Sequence, residues 1–208
     1  MISTTRAIVL NHLRYGDSSL IANLYTESMG RQTVFVKGAF SKKSPVRAAM
    51  FQPLHLIEID LHHRANRQMQ RISNVQVYCQ LQSIPFDPVK SCIALFIAEI
   101  LYKTLREEES NAGLFDFLLH AIQTLDLNDY GTANFHLVFL VHYSRYLGFY
   151  NHQFTQLFEM SFEHLGNLQL NHNQRNSLTE NLLDYYAKHV DNFGKLKSFP
   201  VLRNIFQD

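Results

Sequence analysis

The chain has 208 residues, long enough for one large domain or two small ones, and its 46% hydrophobic and 18% charged residues fit a soluble globular protein. No run approaches the ~18 consecutive apolar residues of a membrane span, and two cysteines without a CxxC partner exclude a disulfide framework. The net charge of +1 hides an asymmetry: ten lysines and arginines against four carboxylates through residue 80, a net of +6, then nine against fourteen, a net of −5. A basic first part joined to an acidic second part predicts two domains, residues 1–80 and 81–208, with a polyanion as partner for the first.

The N-terminus, MISTTRAIVLNHLRYGDSS, has an apolar run only from Ala7 to Leu10 and none of the parts of a signal peptide, so the expected location is cytoplasmic. Residues 5–14 read as a strand, Tyr15-Gly16-Asp17 as a turn, and Ser19 to Thr26 as a second strand. Met29-Gly30 turns into a third strand, in which Val34 and Val36 point one way and Arg31, Thr33, Phe35 and Lys37 the other. The stretch continues as a basic loop with Phe40, Lys42, Lys43 and Arg47, and no carboxylate occurs between Glu27 and Glu58. Two readings fit it. A nucleic-acid strand would find cations for its phosphates and a ring for a base. The other reading, which the pattern alone favours slightly, is a solvated hairpin edge kept soluble by lysines.

A fourth strand is expected from Pro53 to His62, with a slip of apolar phase between Leu56 and Ile57 that signals a bulge. His63 to Arg67 is a polar turn, and Met69 to Tyr78 a fifth strand. Five short strands joined by turns predict a small barrel, and a five-stranded Greek-key barrel of the oligonucleotide-binding class (OB-fold) fits. A small open sheet or an SH3-like barrel fits the same pattern.

The period then changes to that of helices, so the chain reads as α+β: the barrel followed by an all-helical C-terminal domain. Asp87 and Pro88 are the N-cap and first position of a helix over 88–107, with Ile93, Phe96, Ile97, Ile100, Leu101 and Leu105 on its apolar stripe. The run Glu107-Glu108-Glu109 lies at the wrong end for the helix dipole and reads as a solvated loop. Further helices are expected over 114–125, over 132–147 with Phe135, Val138, Phe139, His142 and Tyr146 on one face, over 176–190, and over 201–206. Residues 149–174 read as loop with short irregular elements.

Motifs for chemistry are missing. No GxxxxGK[ST], GxGxxG or GxSxG occurs, and the carboxylates mark no catalytic pair. The eleven histidines lack paired ligand spacing: His62 and His63 are adjacent, and His152, His164 and His172 are scattered. Cys79 and Cys92 read as small core residues. No cofactor and no metal site is predicted.

Several segments together resemble the RecO family of bacterial recombination mediators. They are the RYGDSS turn, the VKGA strand end, the KKS loop and the FQP start of the next strand. AEILYKTLREEESNAGLFDFLLHAIQTLD follows, then YLGFY, then YYAKHVDNFGKLKSFPVLRNIF. The resemblance spans essentially the whole chain. It implies an N-terminal OB-fold, a helical C-terminal domain and no turnover of a small molecule. It implies a cytoplasmic, nucleoid-associated protein that binds single- and double-stranded DNA and anneals complementary strands. The implied partners are RecR, the acidic C-terminal tail of single-stranded-DNA-binding protein (SSB), and indirectly RecA. Many members carry a four-cysteine zinc finger after the YLG helix. Asn151 to Asn173 contains no cysteine here, so that zinc site is not carried over.

The expected DNA-binding residues are Lys42, Lys43 and Arg47 first, then Arg31 and Lys37, with Arg64, Arg67 and Arg71 extending the track. Phe35 and Phe40 are candidate stacking surfaces, as is Tyr15. The cations available to an SSB tail are Lys103, Arg106, Arg145, Arg175, Lys188 and Lys195. Rival readings are a metal-dependent nuclease and an adaptor whose barrel binds only protein.

Overall fold

The structure is a computed structural model, and it describes residues 2–41, 46–64, 66–150 and 152–206. These fall into two compact units, Met1–Leu81 with Ala98–Leu119, and Gln82–Ile97 with His120–Asp208.

In the first unit, β1 (Ile2–Tyr15), β2 (Ser19–Thr26), β3 (Gly30–Val36), β4 (Leu56–His62) and β5 (Gln70–Cys79) close a barrel in the order β1-β2-β3-β5-β4. All neighbours are antiparallel except β3 and β5, which run parallel. Closure settles two of the open readings. The sheet is an OB-type barrel and not an open one, and β3 is no edge, because β2 and β5 flank it.

The strand period decides what lies inside. Leu20, Ala22 and Leu24 of β2 and Val34 and Val36 of β3 enter the core with Ala7, Val9, Ile57, Ile59 and Leu61. β1 is longer than its apolar run because it serves two partners. Ile2 to Ile8 pairs with β4 and Ala7 to Tyr15 with β2, with a bulge between Val9 and Asn11. The slip at Leu56/Ile57 is a register shift against β5. β4 starts at Leu56 and not at Pro53, because Leu54 has a positive φ of 61° and its N–H bonds Val9 O, 2.8 Å away. Lys37 lies just beyond β3.

Among the described residues six helices follow: α1 (Pro88–Thr104), α2 (Ala112–Leu127), α3 (Phe135–Tyr146), α4 (Thr155–Phe158), α5 (His172–His189) and α6 (Phe199–Ile205). α1 stops three residues short of the expected end. Arg31 Nη1 donates to Tyr102 O at 2.8 Å and Leu105 O at 2.6 Å, placing a cation on its last carbonyls. The expected helix over 132–147 divides into a 3-10 turn, Thr132–Asn134, and α3. Residues 135–141 of α3 are buried all round, and Tyr146, expected on the buried face, surfaces in its last turn. α5 starts at His172 because Asn171 and Gln174 cap it reciprocally.

Within the second unit a buried polar knot fixes the segment entering α1. The Asp126 carboxylate accepts the N–H groups of Gln82, Ser83 and Ile84 at 2.7–2.9 Å. Lys90, 2% exposed, donates to Ser83 Oγ, Asp126 O and Asp129 Oδ1 at 2.8–2.9 Å. No helix among the described residues is long and apolar enough to cross a membrane.

Candidate nucleic-acid interface

Residues that do not enter the barrel core form its outer face. On β2 and β3 these are Ile21, Asn23 and Tyr25, paired with Phe35, Thr33 and Arg31. The two ends of this face differ. At the Gly30 end, residues 98–119 cover it. Tyr25 stacks on Phe115 with ring centroids 6.3 Å apart, and Arg31 lies 4.5 Å over the Tyr102 ring while capping α1. Burial pushes the Tyr25 phenol up to about 12, aided by the charge of Glu107. The Arg31 guanidinium thus has a structural task.

Among the described residues the other end is open. Strand register sets Leu13, Ile21, Phe35, Arg71 and His62 in one row across five strands. The half-buried Phe35 ring meets Tyr15 edge-on at 5.9 Å, and Tyr15 is 57% exposed. Phe35 therefore belongs to an aromatic pair at the open end, whereas the helical segment sits over Tyr25 and Arg31.

Two loops flank this end. At the β1–β2 turn, Arg14 donates to Asp17 O at 2.8 Å and lies 5.0 Å over the ring of Phe40, itself 41% exposed. Phe40 N–H bonds Ser18 O at 2.9 Å, and Arg47 donates to Ser41 O at 2.8 Å. These bonds gather Arg14, Phe40 and Arg47 beside the turn, with exposed Lys37 at the start of the same loop. Lys42 and Lys43, the first choices from the sequence, lie outside the described residues. Arg14 was not among the expected residues; its signal was an arginine directly before the aromatic turn residue Tyr15.

The β4–β5 turn is held by Gln70, which is 4% exposed. Its amide accepts from Arg64 N at 2.8 Å and donates to Arg64 O and Arg67 O at 3.1 and 2.8 Å. The side chains of Arg64, Arg67 and Arg71 are exposed and line a pocket of about 280 Å³ with His62, Met69 and Ile72. Among the described residues no carboxylate pairs with Lys37 or with these three arginines. Arg6 contrasts with them. It is paired with Glu27, which it holds below the usual carboxylate range, and lies over Tyr78 and Phe115.

The expected partner-binding cations divide between the two units. Lys103 and Arg106 belong to the first unit, and Arg145, Arg175 and Lys188 to the second. Arg175 is committed to Asn134 Oδ1 at 3.0 Å and Leu170 O at 2.9 Å, and Arg145 lies 4.9 Å over Phe158. The remaining one, Lys195, borders an apolar groove of about 450 Å³ in the second unit, with Leu183, Phe193, Leu196 and Phe199 in its walls. Among the described residues no three His, Cys, Asp or Glu side chains are placed to hold a metal. Cys79 and Cys92 are half-buried and not joined in a disulfide, and burial pushes the Cys92 thiol up.

An OB-type barrel with cationic loops beside an open aromatic face agrees with what comparison shows. The family model described as Recombination protein O N terminal matches residues 1–80, and Recombination protein O C terminal matches residues 85–155. The DNA repair protein RecO of Bacteroides fragilis is 37% identical over 99% of this chain and 100% of its own length. Those of Phocaeicola vulgatus, 34% identical, and Flavobacterium psychrophilum, 35% identical, align over 99% and 97% of this chain and 100% and 98% of their own lengths. The chain belongs to the RecO family. In RecO terms the barrel is the N-terminal OB-fold, and helices make up the C-terminal part. The names of these relatives place the family in DNA repair and recombination.

Proposed function

We propose that this RecO-family protein binds the backbones of single- and double-stranded DNA on the open end of its barrel and anneals complementary strands. With RecR it then helps load RecA onto SSB-coated single strands. In this reading residues 1–80 bind nucleic acid and residues 81–208 are the helical domain. The observation that carries the reading is the open row at Phe35, flanked by cations on both the β1–β2 and β4–β5 sides. In OB-folds the β2–β3 face and those two loops are where oligonucleotides bind. Annealing needs no bond chemistry from the protein. It needs two like-charged strands neutralised and concentrated, with base pairing selecting the complement.

The interface proposed from described residues is Lys37, Phe40, Arg47, Arg64, Arg67 and Arg71, with Phe35, Tyr15 and Arg14. Lys42 and Lys43 join it on sequence grounds. A Lys37→Glu/Arg47→Glu variant is expected to bind all sequences more weakly, by about tenfold or more at moderate salt, with the log–log salt slope shallower by about 1.4 for single strands. Fluorescence anisotropy over a salt series measures both. An unchanged slope would remove these residues from the interface, and absence of binding by the native protein at low salt would favour the protein-only adaptor. Sustained cleavage of DNA with a divalent metal, tracking purified protein, would favour the nuclease.

For the SSB tail, the reading is that the apolar groove receives it, with Lys195 as the local cation. Glu180 and Asp184 on the same groove oppose an acidic peptide, so affinity depends on Lys195 and on apolar burial. A labelled tail peptide is expected to bind the full chain about five- to tenfold more weakly after Lys195→Ala. Equal affinity would place the tail elsewhere.

A further inference from the structure

Three guanidinium groups around one small pocket repel one another unless an anion stands among them. Elsewhere in the barrel the arginines are occupied: Arg6 by Glu27, Arg31 by the end of α1, Arg14 by the carbonyl of Asp17 and the ring of Phe40. Arg64, Arg67 and Arg71 have no such partner among the described residues, although Gln70 fixes the turn that carries two of them. His62 is a further lining residue of the same pocket, and clustered cations without a counter-charge call for an explanation such as an absent anion.

We infer that this pocket receives the terminal phosphate of a DNA strand; the inference rests on the DNA-binding reading above. Size and charge both favour an end over the middle of a strand. The pocket, about 280 Å³, is close to the lower bound of roughly 300 Å³ for small-ligand sites, room for one nucleotide end and not for a chain passing through. An internal phosphodiester brings one negative charge. A terminal monoester brings about 1.5 to 2 at neutral pH, and a third oxygen for a further donor. Arginine forks match that geometry in bidentate fashion. Met69 and Ile72 give the adjoining sugar an apolar wall. The pocket opens on the row that contains Arg71 and Phe35, so a strand anchored by its end continues onto the aromatic pair.

The test compares one short single strand in three forms, 5′-phosphorylated, 3′-phosphorylated and hydroxyl-ended, by anisotropy with the full chain. One phosphorylated form is expected to bind about tenfold tighter than the hydroxyl-ended strand, and which one it is gives the polarity. An Arg64→Ala/Arg67→Ala variant weakens binding of every form and brings the ratio to about one. Its fold is safeguarded because Gln70 bonds only backbone atoms of those residues. Arg47→Ala is expected to weaken the three forms alike and to keep the ratio. Equal affinities for all three forms in the native protein overturn the inference and leave DNA binding standing. A ratio that survives the double substitution overturns the location. No binding of any form at low salt overturns the DNA reading and this inference with it.

Discussion

Replacing Gly30 with alanine is expected to destabilise the protein by about 3–5 kcal/mol, whereas the same change at Gly16 costs only about 1–2 kcal/mol. Both glycines have left-handed φ, +57° and +62°. Only the surroundings differ. A Cβ on Gly16 meets nothing within 4 Å, but one on Gly30 lies 2.4 Å from Glu109 O and 2.6 Å from Glu107 O. Those are backbone atoms of the loop after α1, and a backbone cannot swing aside as a flexible side chain does. The same loop accepts the N–H of Arg31 on Glu107 O at 2.9 Å, so moving it breaks a further bond. Urea unfolding of the two variants measures the contrast. Equal losses would mean that the approach of this loop to the β2–β3 turn contributes nothing.

The second large effect is expected at Asp126. Asp126→Ala orphans the N–H groups of Gln82, Ser83 and Ile84 at once, in a site where Asp126 is 5% exposed, and should cost about 3 kcal/mol or more. The pH dependence follows from the same bonds. Burial pushes the Asp126 carboxyl up, but the N–H donors of Gln82, Ile84 and Ser83 and the Ser83 hydroxyl outweigh it and hold the group below the usual carboxylate range. The unfolded chain therefore binds this proton more readily than the folded one. The stabilisation is complete above an unfolded value of about 3.9 and is lost as the pH falls through the lower folded value. Asp126→Asn should show a flatter acid limb than the native protein in stability measured from pH 6 to 2. A limb as steep as the native one would assign acid sensitivity to other groups, such as Glu27 beside Arg6.

Much of the barrel was legible because alternation is a local property. Val34 and Val36 against Phe35, and the slip at Leu56, announced which side chains enter the core and where a bulge falls. Closure was not legible, since the parallel meeting of β3 with β5 joins residues 36 positions apart through turns whose geometry no short pattern encodes. For the interface, charge and ring type singled out the loops proposed above but said nothing of prior commitments. Arg31 and Arg71 look alike in sequence, yet one caps a helix and the other lines an open pocket. Arg14 gained its place from a ring 26 residues away, and Lys195 from a groove built by α5, α6 and the segment between them. Such roles depend on packing between distant segments, which composition and spacing do not carry. In the helical region the stripe of α1 was plain, but α3, buried on all sides through residue 141, has no single apolar face to find.

The seam of the barrel has a consequence for endurance. β3 and β5 meet only through Val34–Gln70 and Phe35–Arg71 among the described residues, whereas β2 and β3 share a register over the whole of β3. Opening the cylinder therefore breaks fewest bonds at this seam. A strand lying on Phe35 and Arg71 touches both of its lips, so occupancy and closure become one equilibrium. A ligand at a hundred times its Kd favours the state it binds by about 2.7 kcal/mol. On the DNA reading, the nucleic acid is then a clasp across the barrel's shortest junction, and the protein holds its shape longest where it is at work.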